Sequence, residues 1–264
     1  MGYGNQQYIY PDLKDRITSV LISSKEPYEG YWEESENFIL DLIKKHISKD
    51  IINKEKSLLD AGCGEGRLTI YFSDYFERIL AIDPDRSRLD IAIKETKRLK
   101  ISNKIDFDSV PIEEINEDEK FDVILCSHVF QHVQTSLIPK IIEKLSILMK
   151  KPGLLFVTTC HSTKGDDYFV KNYLDDFNFV EETIDQDSFN SLVFGVNQLP
   201  THLFSRGSIE ELLKKSGFKI IDYKVFHIIE EDFGTKQNRD ITVNQSPSLQ
   251  NKYGRDVFIA AKKE

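Results

Sequence analysis

Cysteine is scarce, at three in 264 residues, and Cys63, Cys126 and Cys160 lie far apart in apolar surroundings. An odd, scattered set of this kind builds neither a disulfide framework nor a zinc site, so no metal is expected. A basic surplus is missing as well. The 44 acidic residues outnumber 35 lysines and arginines for a net charge of −9, which argues against a dedicated nucleic-acid binder. No apolar run approaches the roughly 20 residues that span a bilayer. Residues 1–7 lack the basic and apolar regions of a signal peptide, so a cytoplasmic chain without a membrane partner is expected. Internal repeats and low-complexity tracts are absent too. What remains is 40% hydrophobic and 30% charged, an ordinary globular composition. The length suffices for one domain with insertions around a sizeable core.

The stretch that organises the chain is Asp60-x-Gly62-x-Gly64-x-Gly66. Leu58 and Leu59 precede it and Leu68, Ile70, Tyr71 and Phe72 follow, the pattern of a buried strand, a tight turn and a helix start. Glycine permits positive φ and close backbone approach, so a ligand can lie on the turn itself. The first N–H groups of the following helix would favour an anionic group. The dinucleotide fingerprint G-x-G-x-x-G does not fit, because Arg67 stands where its third glycine belongs.

From 57 to 160, strands at 57–61, 78–83, 104–108, 121–127 and 153–160 alternate with helical stretches, which predicts a parallel α/β sheet. Ile138, Ile141, Ile142, Leu145 and Leu148 form a helical stripe over 135–149, stopped by Lys150-Lys151-Pro152-Gly153. Residues 1–50 read as a helical lid, with Leu13, Ile17, Val20 and Leu21 on one face and Ile39, Leu42, Ile43 and Ile47 on another. The segment 161–203 interrupts the alternation, is rich in acids and interleaves Phe169, Tyr173, Phe177, Phe179, Phe189 and Phe194. It reads as an insertion, a solvated surface or a cap that selects a ligand. A helix after Ser205, strands at 219–229 and 256–261, and a polar loop over 230–255 complete the chain.

Asp83 closes the second strand, where a carboxylate can accept hydrogen bonds from both hydroxyls of a ribose. Asp85 is the more natural cap of the next helix. With the Asp60-x-Gly62-x-Gly64-x-Gly66 spacing, the sequence resembles the class I S-adenosylmethionine-dependent methyltransferases of small-molecule type. The resemblance covers roughly 57–160 and 203–262. It implies a Rossmann-like, mostly parallel seven-stranded sheet in the order 3-2-1-4-5-7-6 with helices on both faces. S-adenosylmethionine is the implied cofactor and S-adenosylhomocysteine the product. Gly62, Gly64 and Gly66 would approach the amino-acid end of the cofactor, with Cys63 between them and Asp60 fixing the loop. Tyr28 or Tyr31 would touch the methionine carboxylate. Asp83 and Pro84 would flank the ribose, and Pro111 and Ile112 would occupy the adenine loop, where Pro111 replaces the family's usual acid. Ser127 and His128 match the fourth motif, which lacks the Asn/Asp-Pro-Pro-Tyr/Phe clamp of enzymes that methylate nucleobases.

Methyl transfer from a sulfonium needs alignment and dryness more than it needs catalytic groups, and a base only when the acceptor arrives protonated. His128, His132, His161 and His202 all fall at or after strand ends on the ligand side of such a sheet. Each alone is more often a structural residue than a base, and His132 and His202 are the candidates to act. The expected activity is methyl transfer to an O or N atom of a small molecule. A protein or peptide side chain as acceptor, and a nucleotide-binding Rossmann module or oxidoreductase, stand as alternatives. Oligomeric state and acceptor identity are not encoded legibly.

Overall fold

A computed structural model of the chain describes residues 31–47, 56–175, 178–192, 198–228, 248 and 252–263. In chain order they form α1 (Tyr31–Ile47), β1 (Ser57–Ala61), α2 (Arg67–Phe72), β2 (Arg78–Ile82), α3 (Arg86–Arg98), β3 (Ile105–Asp108), β4 (Phe121–Ser127), α4 (Ile138–Leu148) and β5 (Met149–Cys160). Then come β6 (Tyr168–Asp175), β7 (Asn178–Ile184), α5 (Gln186–Ser191), β8 (Gln198–Leu203), α6 (Arg206–Lys215), β9 (Phe218–Ile228) and β10 (Gly254–Lys263). Seven strands make one sheet in the order β3-β2-β1-β4-β5-β10-β9. Strands β1 to β5 pair in parallel and β10 runs antiparallel to both neighbours. This is the expected 3-2-1-4-5-7-6 order once the three strands of the insertion are counted.

The central strands read as continuous apolar runs because both faces are covered. One layer holds α4 and α6, whose Ile141, Leu145, Ile209 and Leu213 pack with Ile124 and Leu155. The opposite layer holds α1, α2 and α3, with Ile43, Phe72 and Leu89 against Leu58 and Phe156. Helix α1 is therefore a packing helix, fixed further by a contact between His46 Nε2 and Asp222 Oδ2 at 3.1 Å. The Leu13–Leu21 half of the expected lid, and most of the 230–255 loop, lie outside the described residues. No described helix is long and apolar enough to cross a membrane.

The acidic segment folds into more order than its sequence suggested. Strands β7, β6 and β8 make a separate antiparallel sheet, with a small core of Phe169, Phe189 and Ile184. Phe177 and Phe194 lie outside the described residues. Asp185 caps α5 by accepting from Ser188 N at 2.7 Å.

At the opposite end of the sheet from the glycine turn, Asp122 carries a structural load. Its carboxylate accepts from Lys150 Nζ at 2.7 Å, Ser57 N at 2.9 Å, Ser57 Oγ at 3.0 Å and Lys56 Nζ at 3.1 Å. Burial pushes this carboxyl up, but Lys150, Ser57 and Lys56 outweigh burial and hold it at about 2. The folded pKa is lower than that of an unfolded aspartate. The contribution is therefore complete above about pH 4 and disappears as pH falls toward 2. Asp122→Asn is expected to cost about 2 kcal/mol at neutral pH by urea unfolding, with the difference from wild type fading at acid pH. A pH-independent loss would assign the effect to packing.

Candidate functional site

The glycine turn sits where β1 ends. Gly62 N and Cys63 N both donate to Ile82 O at 2.9 Å, which closes the turn onto the end of β2. Gly62, Gly64 and Gly66 have φ of +80°, +54° and +82°, conformations that favour glycine. They differ in what surrounds them. A Cβ on Gly62 would lie 2.3 Å from Val129 Cγ2 and one on Gly66 would lie 2.8 Å from Ala92 Cβ, whereas one on Gly64 would meet nothing within 4 Å. The turn is thus packed from behind at Gly62 and Gly66 and open at Gly64.

Asp60 is 2% exposed and accepts a hydrogen bond from Thr69 Oγ1 at 2.5 Å, tying β1 to α2 behind the turn. Burial raises its pKa to about 6, with Thr69 and Arg67 acting against that rise. Cys63 is buried beside it, and burial pushes its thiol well up. Helix α2 has only six residues, so its dipole is small, and within the turn the N–H groups of Gly62, Cys63, Gly64 and Gly66 already donate to Ile82 O, Cys63 O and Asp83.

Asp83 lies across the turn. Its Oδ2 accepts from Gly64 N at 2.9 Å and its Oδ1 from Asp85 N at 2.9 Å. Burial raises its pKa, while the amides of Asp85 and Gly64 oppose the rise. Pro84 is half-buried alongside. Asp85 caps α3, accepting from Ser87 N at 2.9 Å and Arg88 N at 3.4 Å. Arg88 reaches from that helix to Glu65 of the turn at 3.5 Å, a stitch not signalled by the sequence pattern. Arg67 pairs with Glu36 of α1.

After β3, Pro111 is half-buried, but Ile112 is not at the surface of this groove. It is 2% exposed and packs in the core against the α4 layer, because a short 3₁₀ turn over Ile112–Glu114 rotates it inward. Half-buried Val110 packs against the same core cluster. Tyr28 lies outside the described residues, and of Tyr31 only its place at the start of α1 is described.

At the end of β4, Ser127 Oγ and Thr158 Oγ1 share a hydrogen bond of 2.6 Å, and His128 N donates to Thr158 O at 2.8 Å. His128 has φ +56°, a strained setting for a residue with a side chain. Its Nδ1 contacts Gln131 Nε2 at 3.0 Å, and burial lowers its pKa. His132 is buried, and its Nδ1 donates to Pro200 O at 2.9 Å. Burial lowers its pKa to about 4, with the Pro200 carbonyl opposing. The neutral ring therefore carries its proton on Nδ1 and its lone pair on Nε2. The charges of His128 and Arg88 lower it further, and His132 N donates to Val129 O at 3.0 Å in the turn after β4.

The other two histidines are elsewhere. His161 ties β5 to β10, its N donating to Arg255 O at 2.7 Å and its Nδ1 to Gly254 O at 3.0 Å. His202 lies on β8 and meets Asp167 Oδ2 through Nε2 at 2.8 Å, in a cleft lined by none of the turn residues. Sequence reasoning missed the pair His227 and Asp256, buried and hydrogen-bonded across β9 and β10. Among the described residues no cluster of acids, histidines and cysteines is arranged to hold a metal.

A family model described as a methyltransferase domain matches residues 31–223. The chain is similar to a ubiquinone biosynthesis O-methyltransferase of Rickettsia bellii, 30% identical over 128 residues that make up 48% of this chain and 50% of that one. It spans about half the length of curated relatives such as this. Among solved structures it resembles the 1,6-didemethyltoxoflavin-N1-methyltransferase of Burkholderia thailandensis, bound to 1,6-didemethyltoxoflavin and S-adenosylhomocysteine. That likeness is 16% identity at a TM-score of 0.59, covering 93% of this chain and 86% of that one. It also resembles the magnesium protoporphyrin IX methyltransferase of Synechocystis PCC 6803 with bound S-adenosylmethionine, at 13% identity and a TM-score of 0.60 over 94% and 88% of the two chains. At these identities the structural likeness is one of fold. The family match runs from the start of α1 into β9, and the chain belongs to the methyltransferase-domain family of the class I S-adenosylmethionine-dependent type.

Proposed function

We propose that this chain moves a methyl group from S-adenosylmethionine to an oxygen or nitrogen of a small molecule, with S-adenosylhomocysteine as product. The observation that carries the reading is the open glycine turn with the Asp83 carboxylate lying across it. The residues fit the cofactor. The open side at Gly64 leaves room for backbone approach, and the Asp83 oxygens keep lone pairs for two ribose hydroxyls. Pro111 and Val110 offer apolar surface for a base, and Ser127 and His128 border the sulfonium side. Bound there, the cofactor supplies a methyl group already activated on a positively charged sulfur.

The protein's own work is to align the acceptor, exclude water and accept a proton. His132 Nε2 is the atom proposed to take that proton, since the Pro200 carbonyl fixes the tautomer. The same contact docks β8 on the turn after β4, which supports the three-stranded sheet as a cap that selects the acceptor. A small-molecule acceptor is also what the names of the ubiquinone, toxoflavin and protoporphyrin methyltransferases indicate for those proteins.

Calorimetry with S-adenosylhomocysteine and NADH tests the reading: binding of the first and not the second is expected, and the reverse would return the chain to the oxidoreductases. Acceptor screening by S-adenosylhomocysteine release then gives turnover. With His132 held at about 4, kcat/KM for a hydroxyl acceptor is expected to stay level from pH 8 to about pH 5 and fall below it. His132→Gln is expected to lower kcat by about 100-fold without changing S-adenosylhomocysteine affinity. An acid limb at pH 6.5 that survives in the variant would remove His132 from the role.

A further inference from the structure

We propose that the three-stranded sheet β7-β6-β8 is a hinged lid, jointed at Asp167 and held shut by two polar latches, and that shutting it readies His132. Its purpose rests on the methyl-transfer reading; its motion does not. The lid is not welded to the body by a shared apolar core. Its cluster of Phe169, Phe189 and Ile184 has no member in common with the two clusters that flank the seven-stranded sheet. An imidazole stands in the seam instead. The His202 ring lies 4.4 Å from Phe169 of the lid and 3.8 Å from Phe204 of the main core, centroid to centroid. A cleft of about 270 Å³ continues the seam, with Gln186 on the lid side and Ile138 and Leu212 on the body side. Parts joined through polar groups and open volume move relative to each other at low cost.

The joint is where the chain enters and leaves the lid. His161 and Phe204 form an isolated parallel bridge, Ser162 N donates to Phe204 O at 2.8 Å and Phe204 N to Cys160 O at 3.0 Å. Asp167 fastens both connections to the start of α6. Its carboxylate accepts from His202 Nε2 at 2.8 Å, Ser205 N at 2.8 Å and Ser208 Oγ at 2.9 Å. A few such residues at element ends are what a hinge requires.

Two sets of side chains hold the lid shut. Arg255 of β10 donates to Glu181 of β7 through both terminal nitrogens, Nη1 to Oε1 at 3.3 Å and Nη2 to Oε2. Asn190 of α5 accepts from Thr135 N at 2.9 Å and donates to Thr135 Oγ1 at 3.0 Å. The Arg255 and Glu181 side chains are 27% and 31% exposed, so salt reaches the pair. What closure achieves is set at β8. Pro200 O receives the His132 Nδ1 proton, so the tautomer is fixed only while β8 is docked. Opening admits the acceptor, and closing sets the base and excludes water.

Hydrogen exchange of the full chain, followed peptide by peptide, reads the lid directly. Strands β6, β7 and β8 are expected to exchange faster than β4 and β5. Glu181→Gln should speed exchange in all three lid strands by about ten-fold, the loss of one charge-assisted contact, and leave β4 and β5 unchanged. Ionic strength of about 1 M should do the same to the wild-type protein and little to the variant. Asn190→Ala opens the other latch and should speed the same three strands, which decides the matter should Glu181→Gln not fold. Lid strands that exchange in step with β4 and β5, latch variants that each loosen only their own strand, or exchange unchanged in both variants would overturn the proposal. S-adenosylhomocysteine should bind both variants as it binds wild type, since neither residue belongs to the glycine turn. Failure of the methyl-donor reading would appear separately, as absent S-adenosylhomocysteine binding in the wild-type protein.

Discussion

Asp83→Ala is expected to weaken S-adenosylhomocysteine binding by about 100-fold, the equivalent of two hydrogen bonds to a charged group at about 1.5 kcal/mol each. The carboxylate is held in place before any ligand arrives, its two oxygens pinned by Gly64 N and Asp85 N, so little ordering is needed on binding. The same contacts predict that Asp83→Asn gives little relief. An amide has one acceptor oxygen, and whichever way it turns, its NH₂ points at a backbone N–H that formerly met an acceptor. Because the variants also loosen the turn, affinity alone does not isolate the ribose contact. An S-adenosylhomocysteine analogue lacking both ribose hydroxyls does. It should bind wild type as weakly as the natural ligand binds Asp83→Ala, and it should lose little more in the variant. Losses that simply add would place the hydroxyls away from Asp83.

The parts of this site that a sequence can reveal are those encoded within one stretch of chain. The glycine turn, Asp83 at the end of its strand and Asp85 as a cap all depend on neighbours a few residues away, and all were legible. So was the sheet from β1 to β5, because strands covered on both faces are apolar throughout. The antiparallel sheet of 168–203 was not, since its strands lack a clean apolar–polar alternation: β6 begins Tyr168-Phe169-Val170, β7 carries Glu181 and Glu182 in succession, and β8 holds Pro200. Partners brought together by strand register were also hidden. His202 meets Asp167 because β8 pairs with β6 in the register His202↔Phe169, and Asp256 meets His227 because β10 pairs with β9 in the register Asp256↔Phe226. Ile112 followed its motif position to the adenine loop in sequence, but a single 3₁₀ turn sent its side chain into the core.

The turn's glycines also divide by what lies behind them, and that division separates stability from binding. Gly62→Ala places a Cβ 2.3 Å from Val129 Cγ2 at φ +80°. The left-handed conformation costs about 1 kcal/mol, and displacing the valine from the turn after β4 about 1–3 kcal/mol more. A loss of about 3 kcal/mol is expected, lowering Tm by about 10 °C in a chain of this size. Val129→Ala on the same background removes the obstructing methyl and should return part of the loss, so the two substitutions should not add. Gly64→Ala is the contrasting case. It has φ +54° and nothing within 4 Å of its Cβ, so thermal stability should fall only by the backbone term of about 1 kcal/mol. Its methyl nevertheless stands on the open side of the turn, where the cofactor's amino-acid end is proposed to rest on bare backbone, and S-adenosylhomocysteine affinity should fall by at least about ten-fold through steric exclusion alone. Thermal melts and titrations on the three variants decide the matter. A Gly62→Ala protein that melts like wild type would mean that Val129 yields without strain, and a Gly64→Ala protein with full affinity would mean that the open side of the turn faces solvent rather than the methyl donor.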